Sequence, residues 1–92
     1  MTRPRKWCNI DFCPAAECFC PDGKTEEEVD VIELSPEEAE ALRLKNIEDL
    51  EQTEAATKMG ISQSTFQRFL ASAYKKVSEA LLYGKALKII KR

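Results

Sequence analysis

The chain has 92 residues, 43% hydrophobic and 33% charged, with 14 Lys and Arg against 16 Asp and Glu and no histidine. Such a balance fits one soluble domain, 1–92, with a modest core. No apolar run approaches the roughly 18 residues of a membrane span, and no signal peptide opens the chain, so a cytoplasmic location and no membrane partner are expected. An enzyme is not expected either: there is no histidine, no Gly-rich phosphate loop and no carboxylate pair beyond acids at helix starts.

The charge is unevenly spread. Residues 55–92 carry Lys58, Arg68, Lys75, Lys76, Lys85, Lys88, Lys91 and Arg92 against Glu79 alone, while acids crowd between Asp22 and Glu54. A polarised charge steers a polyanion better than a net value of −2 suggests.

Residues 1–7 form a basic arm. Pro4 favours extended backbone, keeping Arg3, Arg5 and Lys6 available for a narrow minor groove. Residues 8–23 are Cys-rich and loop-forming, punctuated by Pro14, Pro21 and Gly23, with a short strand expected at 9–12. Cys8, Cys13, Cys18 and Cys20 are spaced C-x4-C-x4-C-x-C. Four thiolates suit zinc or an iron–sulfur cluster, but Cys18-x-Cys20 is too tight for the usual CxxC knuckle. Redox-responsive thiols, or four thiols packed as small apolar residues, satisfy the same pattern.

Residues 29–34 read as a strand, being β-branched and partly alternating. The sharpest helix start comes next: Ser35 as N-cap, Pro36 in the first helical position, and Glu38 completing a capping box. That helix should reach Lys45 or Asn46 and turn Ala39, Leu42 and Leu44 to the core. Ile47 and Leu50 should then pack beneath later helices. Arg43 is expected to be solvated or paired with a neighbouring Glu, and the acidic run from Glu26 to Glu28 to be a solvated face.

The stretch 52–71 organises the rest. Ala55, Ala56 and Met59 make the apolar face of a short helix that ends at Gly60, a residue free to take positive φ. Ser62 then caps a second helix, its hydroxyl facing the N–H groups of Ser64 and Thr65. Phe66, Phe69, Leu70, Ala73, Val77 and Leu81 recur at steps of three and four, and Gly84 stops the helix after Tyr83. A helix-turn-helix within a helical core at 35–83 is therefore expected. On its polar flank, Gln63, Ser64, Gln67 and Arg68 suit base edges, whereas Ser62 and Thr65 suit phosphates at the helix N-terminus. Lys75 and Lys76 lie further along, toward a duplex backbone. Residues 85–90 read as a strand that needs a partner: the strand at 29–34, within the chain or by exchange across a dimer, or the strand expected at 9–12; this C-terminal strand is the candidate dimer contact.

R-P-R-K, V-x-x-I-E-L-S-P-E-E-A-E-A-L-R-L-K, L-E-Q-T-E-A-A-T-K-M-G-I-S-Q-S-T-F and A-L-x-x-G-K-A-L occur in that order. In these motifs the chain resembles, over nearly its whole length, the small prokaryotic proteins of domain of unknown function 134. Its helix-turn-helix is also similar to region 4 of bacterial sigma factors. The resemblance implies a DNA-binding domain whose groove-facing positions are Ser62, Gln63, Ser64, Gln67 and Arg68. Tyr74 departs from it, standing where relatives tend to carry a basic residue.

The fold expected is therefore mainly α: a three-helix core with short flanking strands and a Cys-rich N-terminal segment. The expected function is sequence-specific binding of double-stranded DNA by a transcriptional regulator, as a homodimer. The alternatives are a metal- or redox-sensing switch through the four cysteines, and a module docking on the transcription machinery, including RNA polymerase.

Overall fold

A computed structural model describes residues 17–25 and 27–90. In chain order the elements are strands β1 (Cys18–Phe19) and β2 (Val31–Leu34), helices α1 (Pro36–Leu42), α2 (Gln52–Met59) and α3 (Gln63–Tyr83), and strand β3 (Ala86–Ile89). The expected strand at 9–12 lies outside the described residues. Part of the Cys segment that sequence reads as loop is strand β1.

Local rules set most boundaries. Ser35 accepts from the Glu38 N–H while Glu38 accepts from the Ser35 N–H, closing the capping box in front of Pro36. Past α1 the backbone widens into a π-helical turn, Arg43–Ile47, in which the Glu48 N–H reaches the Arg43 carbonyl at 2.9 Å. Asp49, at φ 61, then reverses the chain toward α2, an excursion that short polar Asp tolerates.

This turn corrects the expectation for Ile47. One extra residue in the turn rotates the side chains beyond it, so Ile47 is 76% exposed rather than packed beneath the later helices. Ala41 and Leu44 are the buried apolar residues of this region, beside buried Glu37, Glu38 and Glu40, and Ala39 is only half-buried. Leu42 and Leu50 pack against the core from its margin. Arg43 is paired, its Nε and Nη2 on the two oxygens of buried Glu40 at 2.9 and 3.0 Å and its Nη1 on Glu48 at 3.0 Å.

The core joins Ala41 and Leu44 to Ala55, Ala56 and Met59 of α2 and to Phe66 and Leu70 of α3. Ala55 and Ala56 are buried at the crossing, as small residues that let two backbones approach. Further along α3, Ala73 and Ala80 are buried, and α3 contacts both β2 and β3. Leu81 departs from the expected apolar face, at 77% exposure.

The sheet has the order β1-β3-β2. β3 runs antiparallel to β1, with Cys18 opposite Lys88, and parallel to β2, with Val31 opposite Ala86 and Leu34 opposite Ile89. The partner expected at 29–34 is therefore used, and the other edge of β3 is taken by Cys18–Phe19 rather than by a strand the sequence marked. β3 is central, so within the chain both of its edges are already paired.

Candidate nucleic-acid interface

The start of α3 is aimed by the turn before it. Gly60 adopts φ 71 and ψ 33, and its N–H reaches the Thr57 carbonyl at 3.0 Å while the Ile61 N–H reaches that of Ala56 at 3.0 Å. These are the two bonds of a Schellman cap, and Ile61 packs against the core beside it. Ser62 is next, as N-cap, accepting from the Thr65 N–H at 3.2 Å and donating its hydroxyl to Thr65 Oγ1 at 2.9 Å. Two turn residues thus fix where a 21-residue helix begins and which way it rolls.

With Phe66 and Leu70 buried on one face, the opposite face is set by helical period. Ser62, Gln63, Ser64, Gln67 and Arg68 are exposed, and Thr65 is half-buried. Ser64, Arg68 and Lys75, at steps of four and seven, fall on one stripe, and Lys75 is exposed too. Ser64, Gln67, Arg68 and Lys75 lie on the side of α3 away from the core, with Ser62, Gln63 and Thr65 around its N-terminal end.

Lys76 is placed differently from expectation. Its ammonium donates to Glu38 Oε1 at 2.9 Å and to the Glu33 carbonyl at 2.8 Å, so it ties α3 to α1 and β2 rather than standing free for a phosphate. The cause is long-range: Glu38, buried in the first turn of α1, also accepts from the Ser72 hydroxyl one turn before Lys76. Lys85 is likewise engaged, at 3.1 Å from Glu79, whose carboxylate raises the lysine's pKa above its ordinary value.

Sequence reasoning overlooked Gln52. As the first residue of α2 it accepts from Gln67 Nε2 through Oε1 at 2.7 Å, which holds the Gln67 amide in one orientation. Tyr74 is anchored as well, its hydroxyl donating to Asn46 Oδ1 at 3.1 Å. Both contacts join residues far apart in sequence, and only residue type could have hinted at them.

Arg3, Arg5, Lys6, Cys8 and Cys13 lie outside the described residues. Cys18 and Cys20 are brought together, Sγ to Sγ 3.7 Å, and among the described residues no group of three or more His, Cys, Asp or Glu gathers to hold a metal. Among the same residues no helix is long and apolar enough to cross a membrane.

Fold and site define a mainly α domain that presents the polar start of a long helix and braces its later turns with a small sheet. The chain belongs to the family described as protein of unknown function DUF134, which it matches over residues 1–92. It is similar to UPF0251 proteins of Clostridium acetobutylicum (48% identical over 89 residues), Clostridium beijerinckii (47% over 89) and Clostridium botulinum strain Hall (48% over 89). Those matches take in 97% of this chain but only 62%, 60% and 57% of the relatives, so the chain spans somewhat under two thirds of their length. No solved structure matches it.

Proposed function

We propose that the chain binds double-stranded DNA in a sequence-dependent way and acts as a transcriptional regulator. One observation carries this reading: the turn at 60–62 sends Gln63, Ser64, Gln67 and Arg68 outward while Phe66 and Leu70 anchor the same helix. A helix presented this way fits a major groove. Arg68 suits guanine, with two parallel donors for O6 and N7. Gln67 suits adenine, because Nε2 has two hydrogens: one is held by Gln52, leaving the other for N7 while Oε1 accepts from N6. Ser62, Thr65 and Lys75 serve phosphates. Glu51 and Glu54 are exposed beside Gln52 and repel phosphates, so the duplex lies along α3 rather than across the start of α2.

The test is binding to a panel of duplexes at several salt concentrations. Affinity should fall linearly on a log–log plot, with a slope of about −0.9 per phosphate contacted, and should differ between sequences. Binding that showed neither property would remove the proposal. Arg68→Ala should lose roughly 1–3 kcal/mol, about 5- to 150-fold, on the preferred site and relax discrimination at one base pair. An equal loss on every sequence would place Arg68 on the backbone instead.

A second reading, docking on the transcription machinery or on a second copy, is favoured by one feature. Leu81, Leu82 and Tyr83 end α3 at 77%, 78% and 74% exposure. A homodimer joined there would leave the start of α3 open to DNA, so the two readings are compatible.

A further inference from the structure

On the DNA-binding reading above, on which this depends, we infer that Gln52 is the positioning residue that makes Gln67 a reader of adenine. Gln67 donates through Nε2 to Gln52 Oε1 at 2.7 Å, at the short end for an N–H···O bond. The backbones on both sides are held by the core. Gln52 opens α2, one turn before buried Ala55 and Ala56, and Gln67 follows buried Phe66 on α3. Gln52 itself is half-buried and Gln67 exposed. What is left to set is which end of each amide faces the other, and the bond between them sets it.

An amide's oxygen and nitrogen are nearly alike in shape and opposite in hydrogen-bonding character: the oxygen only accepts and the nitrogen only donates. Adenine shows the major groove an acceptor at N7 and a donor at N6, whereas guanine shows two acceptors, N7 and O6. With one Nε2 hydrogen held by Gln52, Gln67 offers its other N–H to N7 and Oε1 to the N6 amino group, and adenine takes both bonds. Guanine in the same place takes one, and its O6 faces Oε1 with both groups acceptors. Turning the amide over exchanges its ends. Adenine then meets an acceptor at N7 and a donor at N6 and loses both bonds, while guanine keeps one, to O6. A donor in place of Gln52 Oε1 turns the amide over, because it draws the Gln67 oxygen. Residue 52 therefore selects between two purines without needing to touch either.

The experiment uses the whole chain. Duplexes selected from a randomised pool supply the preferred site, and the position at which Gln67→Ala relaxes discrimination is then filled with A·T or G·C in both orientations. The quantity read is the ratio of the two affinities, which cancels any charge effect common to both duplexes. The native chain should favour adenine by about 5- to 150-fold. Gln52→Glu, which only accepts, should keep that ratio while its negative charge weakens binding to both duplexes. Gln52→Met has no amide and should shrink the ratio severalfold. Gln52→Lys, which only donates, should invert it, with guanine preferred. In a Gln67→Ala background none of the three should move the ratio. Melting temperatures should stay at the native value, since neither amide lies in the core. A ratio that Gln52→Met and Gln52→Lys leave unchanged overturns the inference. So does a native chain whose sequence preference survives Gln67→Ala intact or favours no adenine at that position. No binding, or binding without any sequence preference, instead removes the DNA-binding reading itself, and the role of Gln52 with it.

Discussion

Replacing Glu38 by alanine should destabilise the fold by about 2–4 kcal/mol, seen as an earlier urea midpoint and a melting temperature lower by roughly 10 °C or more. The carboxylate is nearly out of contact with solvent and gathers the Ser35 N–H, the Ser72 hydroxyl and the Lys76 ammonium. Its loss strands the Ser72 and Lys76 donors at the junction of α1, α3 and β2. The figure falls short of that for a fully buried ion pair because about a third of Lys76 is exposed.

The same site makes stability depend on pH with a definite sign. Burial pushes the Glu38 carboxyl up, but the Ser72 hydroxyl, the Ser35 N–H and Lys76 together outweigh it and leave it below its ordinary value of 4.5. A lowered folded pKa means that the unfolded chain binds the proton first. The contribution is therefore complete above the ordinary value and is lost as pH falls through the lower, folded one. Glu38→Gln should flatten that acid limb of the stability curve. An unchanged limb would show that Glu38 is not the group responsible.

Phe66→Ala should have a still larger effect, about 3–5 kcal/mol. Phe66, on α3, is fully buried in the core with Ala55, Ala56 and Met59 of α2, and the two alanines cannot fill the space it leaves. A small domain has about 5–15 kcal/mol in total, so the variant should sit near the edge of unfolding at ordinary temperature. Denaturant titration with an unchanged slope would measure the loss directly, and a value below about 1 kcal/mol would mean that Phe66 is not the keystone of this core. DNA binding by this variant would fail through unfolding, whereas Arg68→Ala should lose affinity and keep its melting temperature. The pair of variants separates scaffold from reader.

Local chemistry decides the features that were legible in the sequence. Ser35, Pro36 and Glu38 specify a helix start within four residues, and Gly60, Ser62 and Gly84 specify a stop, a start and a stop by backbone conformation and one hydroxyl. The outward flank of α3 then came from the period of its apolar residues. The hidden features depend on partners far along the chain. Lys76 looks like any surface lysine until Glu38 is folded against it, and Gln67 looks independent until Gln52 reaches its amide. The π-helical turn was hidden for another reason. R-L-K-N-I is a fair α-helical sequence, and the widening shows only when the Glu48 N–H passes the expected carbonyl and takes that of Arg43. Placing β3 between two strands from distant parts of the chain is beyond pattern reading, since a strand's edges carry no mark of which neighbour each will take.

The parallel pairing of β2 with β3 has a kinetic corollary. The two strands are successive in that sheet only because residues 35–85 form the crossover between them. Helices nucleate on nearby contacts, whereas joining strands so distant along the chain first demands the entropy of closing a long loop. The helices shorten that loop as they form. Assembly should therefore run from the helical trio outward, with β3 slotting in last, as the bolt that locks an already built frame.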